Sequence, residues 1–158
     1  MKLLDDVVAR HQWSCHAFVL MSTHYHVLVR TPNPDLARGM QRLNSCYAQH
    51  FNRRHGETGH RFERRYHAVL IESDVHTLEV IRYLALNPVR AGACREAAAW
   101  PWSSYATIVR RERPPYCLAD DWLLAYFGRN RDCALERLQS FVEDMSSQPP
   151  LVKGSDPE

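Results

Sequence analysis

The run LMSTHYHVLV, residues 20–29, constrains the fold more than any other segment of this chain. The valine and leucine residues around its two histidines predict a buried β-strand. Strand residues two apart share one face, so His24 and His26 project together. Imidazole is the commonest metal ligand in proteins, and the pair therefore provides half of a candidate metal site. From the pair alone, a second interpretation is equally well supported: one histidine is a hydrogen-bonded core residue and the other is half exposed.

A second informative segment is LEVIRYLALNP, residues 78–88. Its apolar residues recur at helical spacing and predict a helix that is buried along much of its surface. Tyr83 and Asn87 are i and i+4 and lie on the same face of that helix. Pro88 disfavours the α conformation at the residue before it, so we expect the helix to end at Asn87. Taken alone, Tyr83 fits a core aromatic and Asn87 a helix-end residue.

Three motifs follow one another in the chain: the His-hydrophobe-His strand, YLALNPVRAG at residues 83–92, and WPWSSY at residues 100–105. Residues 36–44, 47–55, 59–63 and 65–66, between the first two motifs, fit the same pattern. In this order the chain resembles the REP-associated tyrosine transposases, a bacterial branch of the single-tyrosine His-hydrophobe-His transposases with an IS200-like transposase domain. The resemblance runs from about Val7 to Phe127.

The resemblance implies an enzyme that cleaves and rejoins single-stranded DNA at hairpin-forming repeats through a 5′-phosphotyrosine intermediate. Tyr83 would be the nucleophile, and a divalent metal, Mg²⁺ or Mn²⁺, would be held by His24, His26 and Asn87. Two alternatives stay open. One is a truncated, non-catalytic protein that binds DNA hairpins. The other is a metal-dependent hydrolase without a covalent step, whose third ligand would be His16, His67 or His76.

The distribution of charge says more than the formal net charge of +2. Between residues 38 and 65, seven arginines stand against two glutamates, and Tyr47, Phe51 and Phe62 are interleaved with them. Guanidinium groups suit phosphates and aromatic rings stack on unpaired bases, so this window predicts a DNA-binding surface. A solvated helix face is the plain alternative. The predicted contacts to the DNA backbone are Arg38, Arg42, Arg53, Arg54, Arg61, Arg64 and Arg65.

Cysteine usage and hydropathy bear on the compartment. The five cysteines are scattered without Cys-x-x-Cys spacing, which indicates reduced thiols and argues against a structural zinc site. No segment reaches the length of a membrane span, and the amino terminus is acidic rather than signal-like. We expect a cytoplasmic bacterial protein that is nucleoid-associated when bound to DNA. Monomer and dimer are both compatible with the sequence.

The predicted order of elements is αββαβα, which belongs to the α+β class. Predicted helices cover residues 1–12 and 35–54 and a segment capped by Ser73 or Asp74, and predicted strands cover residues 13–21, the histidine segment up to about Arg30, and residues 66–72. The resemblance implies a ferredoxin-like split sandwich with helices on one face of an antiparallel sheet. Family members open with a further, central strand, which we expect to be missing here, leaving two sheet edges to be covered.

Three segments are predicted along the chain. Residues 1–111 form a transposase-like catalytic domain. Residues 112–145 form a C-terminal helical extension, with a linker at 112–119 and helices at 120–128 and 131–145. Residues 146–158 are polar and contain proline, and we expect a disordered tail there.

Overall fold

A computed structural model describes residues 1–144, and the predicted tail lies outside these residues. Two strands and six α-helices follow in the order α1 (Lys2–His11), β1 (Ser14–Leu20), β2 (Tyr25–Arg30), α2 (Leu36–His55), α3 (Asp74–Arg90), α4 (Ser104–Val109), α5 (Asp120–Ala125) and α6 (Arg131–Glu143), with a 3₁₀ turn at Ala97–Ala99. The α+β class and the C-terminal helical part are as predicted from the sequence.

The two strands form an antiparallel hairpin in which Val19 pairs with His26 and Leu20 with Tyr25. The amide of Met21 donates to the carbonyl of His24 at 2.8 Å and closes the turn. This turn holds Ser22 and Thr23, between two apolar runs, as the sequence pattern predicts.

The second edge of β1 is covered by two segments that are not strands themselves. Residues 102–104 lie along one half, where the amide of Leu20 donates to the carbonyl of Trp102 at 2.8 Å. Residues 117–119 lie along the other half, where the amide of Ala119 donates to the carbonyl of Cys15 at 2.8 Å. Within residues 1–144, β2 pairs with β1 alone. In this part of the chain the hairpin therefore has one covered edge and one edge without a neighbouring strand.

Helices cover both faces of the hairpin, so the prediction of a single covered face is wrong. The hydroxyl of Tyr25 donates to the side-chain oxygen of Asn44 in α2. The ring of the next residue, His26, contacts Tyr83 in α3. Adjacent strand residues point to opposite faces. Both faces of β1 are apolar, since Phe18 and Val19 are both buried, and each face needs a helix to keep it from water.

The predicted third strand at residues 66–72 is also wrong. These residues have no regular structure, and Val69 and Leu70 are 56% and 78% exposed. The alternation of this segment suits a pleated, half-buried surface, but a strand forms only where a neighbouring strand offers its backbone groups. Residues 66–72 pair with no strand of the described part of the chain, although one edge of β2 is open there.

Helix α3 continues three residues beyond its predicted end. Ser73 caps its start by accepting from the amide of His76 at 3.2 Å, as predicted. Pro88 lies inside the last turn and is almost completely buried, so its packing offsets the hydrogen bond that its ring removes. The amide of Ala93 donates to the Pro88 carbonyl and that of Gly92 to the Val89 carbonyl, with Gly92 at a φ of 68°. This Schellman arrangement ends the helix.

The C-terminal helices share one hydrophobic core with β1 and α3. Leu138 and Val142 of α6 are fully buried, and the guanidinium of Arg82 in α3 lies 3.9 Å from the ring centroid of Phe141. The division of the chain at residue 112 stays a prediction. Among residues 1–144, no helix combines the length and hydropathy needed to cross a bilayer. The five cysteines, all in this part of the chain, are free thiols.

Asp35, the residue before α2, ties that helix to the end of α1. Its carboxylate accepts from Trp13 Nε1 at 2.9 Å and from His11 Nδ1 at 2.6 Å. The hydrogen bond from Trp13, followed by that from His11, holds the pKa of Asp35 below its ordinary value. A carboxylate at this position also interacts favourably with the amino end of the helix.

We expect Asp35→Asn to destabilise the protein at pH 7 and to matter less at pH 3. A carboxylate whose pKa is lower in the folded state stabilises the fold above its unfolded pKa of about 3.9 and loses that contribution as the pH falls below it. The measurement is the urea midpoint of both proteins at the two pH values. A difference between the proteins that stays constant from pH 7 to pH 3 would contradict the prediction.

Candidate functional site

The two histidines meet at the start of β2. His24 is the last residue before the strand and is exposed, whereas His26 is its second residue and is half-buried. Their ring centroids lie 5.1 Å apart at an interplanar angle of 77°. The Thr23 hydroxyl and His24 Nδ1 lie within hydrogen-bond distance, at 3.1 Å, so His24 Nε2 is the ring nitrogen left for a ligand. A hydrogen bond to the second ring nitrogen is how metal-binding histidines are commonly oriented.

Helix α3 brings Tyr83 to the same place. The ring centroids of Tyr83 and His26 lie 5.4 Å apart at an interplanar angle of 78°. The buried residues Ile81, Leu84 and Ala85 hold the helix against the core and set the face that Tyr83 occupies. The structure thus brings together three side chains that are separated by up to 59 positions in the sequence.

Asn87 lies one turn after Tyr83 on the same face of α3 and is buried. Two imidazoles and an amide oxygen are donors that suit a small divalent ion with its remaining positions open. Within residues 1–144, no group of three or more histidine, cysteine or acidic side chains is arranged to hold a metal. A metal site here would therefore depend on the amide of Asn87 besides the two histidines.

The family model described as "Transposase IS200 like" matches residues 1–87, more than half of the chain. The chain belongs to the IS200-like transposase family. Its members are DNA-processing enzymes, and DNA is the partner that membership implies. The matched segment contains His24, His26, Tyr83 and Asn87. Comparison with curated proteins and with solved structures gave no match.

Arg90 also lies at this site of the IS200-like transposase, although the sequence pattern indicated no role for it. Its guanidinium carbon lies 5.8 Å from the ring centroid of Tyr83. Positions seven apart lie on one helix face, so the spacing from Tyr83 would have indicated Arg90. The predicted helix end at Asn87 concealed that relation, because it placed Arg90 outside the helix.

A second tyrosine of the transposase, Tyr25, lies between the two histidines in sequence, but its side chain faces away from them. Its hydroxyl donates to Asn44 on the opposite face of the hairpin. Burial raises the pKa of Tyr25 to about 12, and the hydrogen bond to Asn44 only partly offsets this. A phenol that is so hard to ionise is a poor nucleophile. Of the two tyrosines, Tyr83 is the one whose ring contacts His26.

The three further histidines considered as ligands lie apart from this cluster. His16, at the bulge in β1, stacks on Trp122 of α5 with ring centroids 3.8 Å apart. His67 is exposed in the segment that forms no strand. His76 lies in the first turn of α3, seven residues before Tyr83 and hence about 10 Å along the helix.

Two of the seven arginines predicted to contact DNA are engaged within the chain. Arg42 donates from Nε and Nη2 to the carboxylate of Asp6 at 3.1 and 3.0 Å. Arg61 pairs with Glu57, and its guanidinium carbon lies 5.2 Å from the ring centroid of Phe51. The other five are exposed and form no ion pair within the described residues: Arg38, Arg53, Arg54, Arg64 and Arg65.

The aromatic residues of this window form a cluster between α2 and the following loop. Phe62 contacts Tyr47 at a centroid distance of 5.7 Å and Tyr25 at 6.2 Å. The side-chain amide of Asn52 donates to the Gly59 carbonyl at 3.0 Å and ties the loop to the helix. Tyr47 remains exposed in this cluster. Tyr47 of α2 thus presents an exposed ring that packs on Phe62 of the loop.

Proposed function

We propose that this chain cleaves and rejoins single-stranded DNA at hairpin-forming repeats, with Tyr83 as the nucleophile. The observation that carries the proposal is the contact of the Tyr83 ring with His26, at a centroid distance of 5.4 Å, together with the His24 ring 5.1 Å from that of His26. Family membership supports DNA as the substrate. The hairpin substrate rests on the resemblance to the REP-associated branch.

In the proposed step, the Tyr83 hydroxyl oxygen attacks the phosphorus of a phosphodiester. A bond from this oxygen to phosphorus forms, and the bond from phosphorus to the 3′-oxygen breaks. The phenolic proton passes to water, and the departing 3′-oxygen takes a proton to become a 3′-hydroxyl. Attack by a 3′-hydroxyl on the 5′-phosphotyrosine reverses the exchange. One phosphodiester replaces another at each stage, so no external energy source is required.

His24, His26 and Asn87 would hold the Mg²⁺ or Mn²⁺ ion that the family resemblance implies. Their nitrogen and oxygen donors fit such an ion, and the Thr23 contact would hold the His24 ring in place. When bound, the ion would polarise the phosphate and stabilise the charge that builds up on it. Arg90 adds a positive charge beside the Tyr83 ring, where it would attract the phosphate to be cleaved.

The test uses purified full-length protein and a single-stranded hairpin oligonucleotide from a repetitive palindrome, labelled at either end. Reactions contain Mn²⁺, Mg²⁺ or a chelator and are run on a denaturing gel. A 5′-phosphotyrosine retains the fragment downstream of the cut, so the 3′ label is expected in the covalent band and the 5′ label in a shortened free strand. Covalent transfer of the 5′ label would overturn the proposed direction of attack, and the lack of a covalent band with either label would overturn the chemistry.

A non-catalytic hairpin-binding protein is the second candidate. Two observations favour it. Within residues 1–144, one edge of β2 has no neighbouring strand, and His24 lies in the exposed turn just before that strand. DNA retarded on a native gel, with no covalent band under any metal condition, is the result it predicts. Cut strands without a covalent intermediate would instead indicate the hydrolase considered from the sequence.

The exposed arginines predict that binding depends on salt. The slope of log affinity against log salt is about −0.7 for each neutralised phosphate of a single strand and about −0.9 for each one of a duplex stem. Replacing Arg53 and Arg54 together by alanine is therefore expected to make the slope shallower by about 1.4–1.8. The measurement is fluorescence anisotropy of a labelled hairpin over a salt series.

Arg42→Ala is the matched control for this series, since Arg42 already pairs with Asp6 and should leave the slope nearly unchanged. Wild-type affinity that does not change with salt would exclude an arginine–phosphate surface. An equal change of slope in both variants would mean that the exposed arginines of α2 have no special role.

A further inference from the structure

A groove lies beside the covered edge of β1, separate from the cluster of Tyr83 and the two histidines. Its volume is about 280 Å³. This is slightly below the range of about 300–1,000 Å³ that is typical of small-molecule clefts, so it suits a single flat group. The residues that line it include Phe18, Pro101, Trp102, Arg113 and Pro114.

Trp102 is the exposed aromatic side chain of this groove. It is 58% exposed, whereas the other three tryptophans are buried or half-buried. Its backbone is nevertheless held firmly. The Trp102 carbonyl accepts from Leu20, and the next residue, Ser103, pairs with Val19 and caps α4. A large ring that faces water on a rigid support is prepared for stacking at little entropic cost.

Arg113 supplies a positive charge at the same groove. The neighbouring arginines are engaged, since Arg110 pairs with Glu112 and Arg111 with Asp132. Arg113 is exposed and forms no ion pair within the described part of the chain. An aromatic face next to an available guanidinium is the combination that binds a base and its phosphate in single-stranded nucleic acid.

The groove is close enough to the candidate active site to receive the same DNA strand. Trp102 is hydrogen-bonded to Leu20, and Leu20 pairs with Tyr25, which lies between the two histidines. Neighbouring strands are about 4.8 Å apart, so the Trp102 backbone lies about 10 Å from the histidine strand. Phe18, which lines the groove, faces away from Val19 and hence from its partner His26, so the DNA strand would pass around the turn of the hairpin, over a path of a few nucleotides.

We propose that this groove binds one unpaired nucleotide of the DNA strand that enters the active site, with its base stacked on the Trp102 indole and its phosphate on Arg113. The inference rests on the proposed function, because that function makes single-stranded DNA the ligand. Stacking tolerates any base, so the groove would hold the strand flanking the cut without reading its sequence.

The experiment measures binding of a ten-nucleotide oligodeoxythymidine, which forms no hairpin, to the full-length protein. Fluorescence anisotropy gives the affinity, and quenching of tryptophan fluorescence reports stacking. Trp102→Ala is expected to weaken binding on the order of tenfold, and Trp102→Phe to retain most of the affinity but lose the quenching. Arg113→Ala should weaken binding and make the salt slope shallower by about 0.7.

Two exposed residues that do not line the groove provide matched controls. Tyr116→Ala removes a ring that is 84% exposed, and Arg129→Ala removes an exposed guanidinium. Both are expected to bind the oligonucleotide as the wild type does. Melting temperatures should be unchanged in all variants, since none of these side chains is buried.

Unchanged affinity in Trp102→Ala, or an equal loss in Tyr116→Ala, would overturn the groove as a nucleotide site. The same loss of affinity with blunt duplex DNA would also overturn it, because a paired base cannot stack on Trp102. The two proposals fail separately. A covalent adduct in a protein whose binding is insensitive to Trp102 contradicts only the groove, and loss of binding in Trp102→Ala without any adduct contradicts only the chemistry.

Discussion

Tyr83→Phe is expected to abolish the covalent protein–DNA adduct and to leave DNA binding intact. The substitution removes only the oxygen that would attack phosphorus and keeps the ring that contacts His26. Among Tyr83, the two histidines and Asn87, only Tyr83 carries a hydroxyl that can form a phosphate ester, and removal of a catalytic nucleophile commonly lowers turnover by about 10⁴-fold or more. The covalent band on a denaturing gel measures the first effect, and anisotropy of the labelled hairpin measures the second.

Tyr25→Phe is the matched control, because Tyr25 lies between the two histidines in sequence but faces the other side of the hairpin. It loses a hydrogen bond to Asn44 and should still form the adduct. An adduct that persists in Tyr83→Phe and disappears in Tyr25→Phe would make Tyr25 the nucleophile. Loss of adduct and of DNA binding together in Tyr83→Phe would indicate a damaged fold instead.

Gly39→Ala is expected to lower the free energy of unfolding by about 2 kcal/mol. A Cβ at Gly39 would lie 2.2 Å from Cη2 and 2.3 Å from Cζ2 of Trp13. The indole cannot move aside without effect, since it is buried and donates to Asp35. Alanine improves helix propensity by about 1 kcal/mol, but overpacking and a weakened charged hydrogen bond outweigh that gain. Thermal melting should show a decrease of about 4–8 °C.

A double-mutant cycle with Trp13→Phe isolates this contact. Phenylalanine has a smaller ring and no Nε1, so Gly39→Ala should have little effect, or should stabilise slightly, in that background. The interaction between the two substitutions is then expected to be about 2 kcal/mol. A melting temperature of Gly39→Ala at or above that of the wild type would show that Trp13 rearranges without loss.

The hairpin, helices α1–α3 and the cap at Ser73 could be predicted because their signals are local. Apolar residues in short runs around a Ser-Thr turn specify β1 and β2, and 3.6-residue periodicity specifies the helices. The two-residue period of a strand also predicts that His24 lies near His26, and the 3.6-residue period of a helix predicts that Tyr83 and Asn87 share one face. The catalytic and metal-binding roles of these residues stay predictions, as do the DNA contacts of the seven arginines.

Two predictions were wrong: the strand at residues 66–72 and the end of α3. Both features depend on contacts with residues elsewhere in the chain, which a local sequence pattern does not reveal. A strand requires the backbone of a neighbour, and within the described residues that segment pairs with no strand. The helix passes through Pro88 because burial of that residue and the Schellman turn after it offset a missing hydrogen bond. The continuation of α3 is also what brings Arg90 to Tyr83.

By itself, the sequence determined the α+β class, the histidine hairpin and the helix that carries Tyr83, because strand and helix periodicities are properties of neighbouring residues. Only the tertiary structure decided that His26 meets Tyr83, that Arg42 is paired with Asp6, and that Trp102 stands beside Arg113 at a groove. These relations join residues far apart in the chain. They arise because each apolar face must be buried against another element, and that packing sets which polar side chains come together.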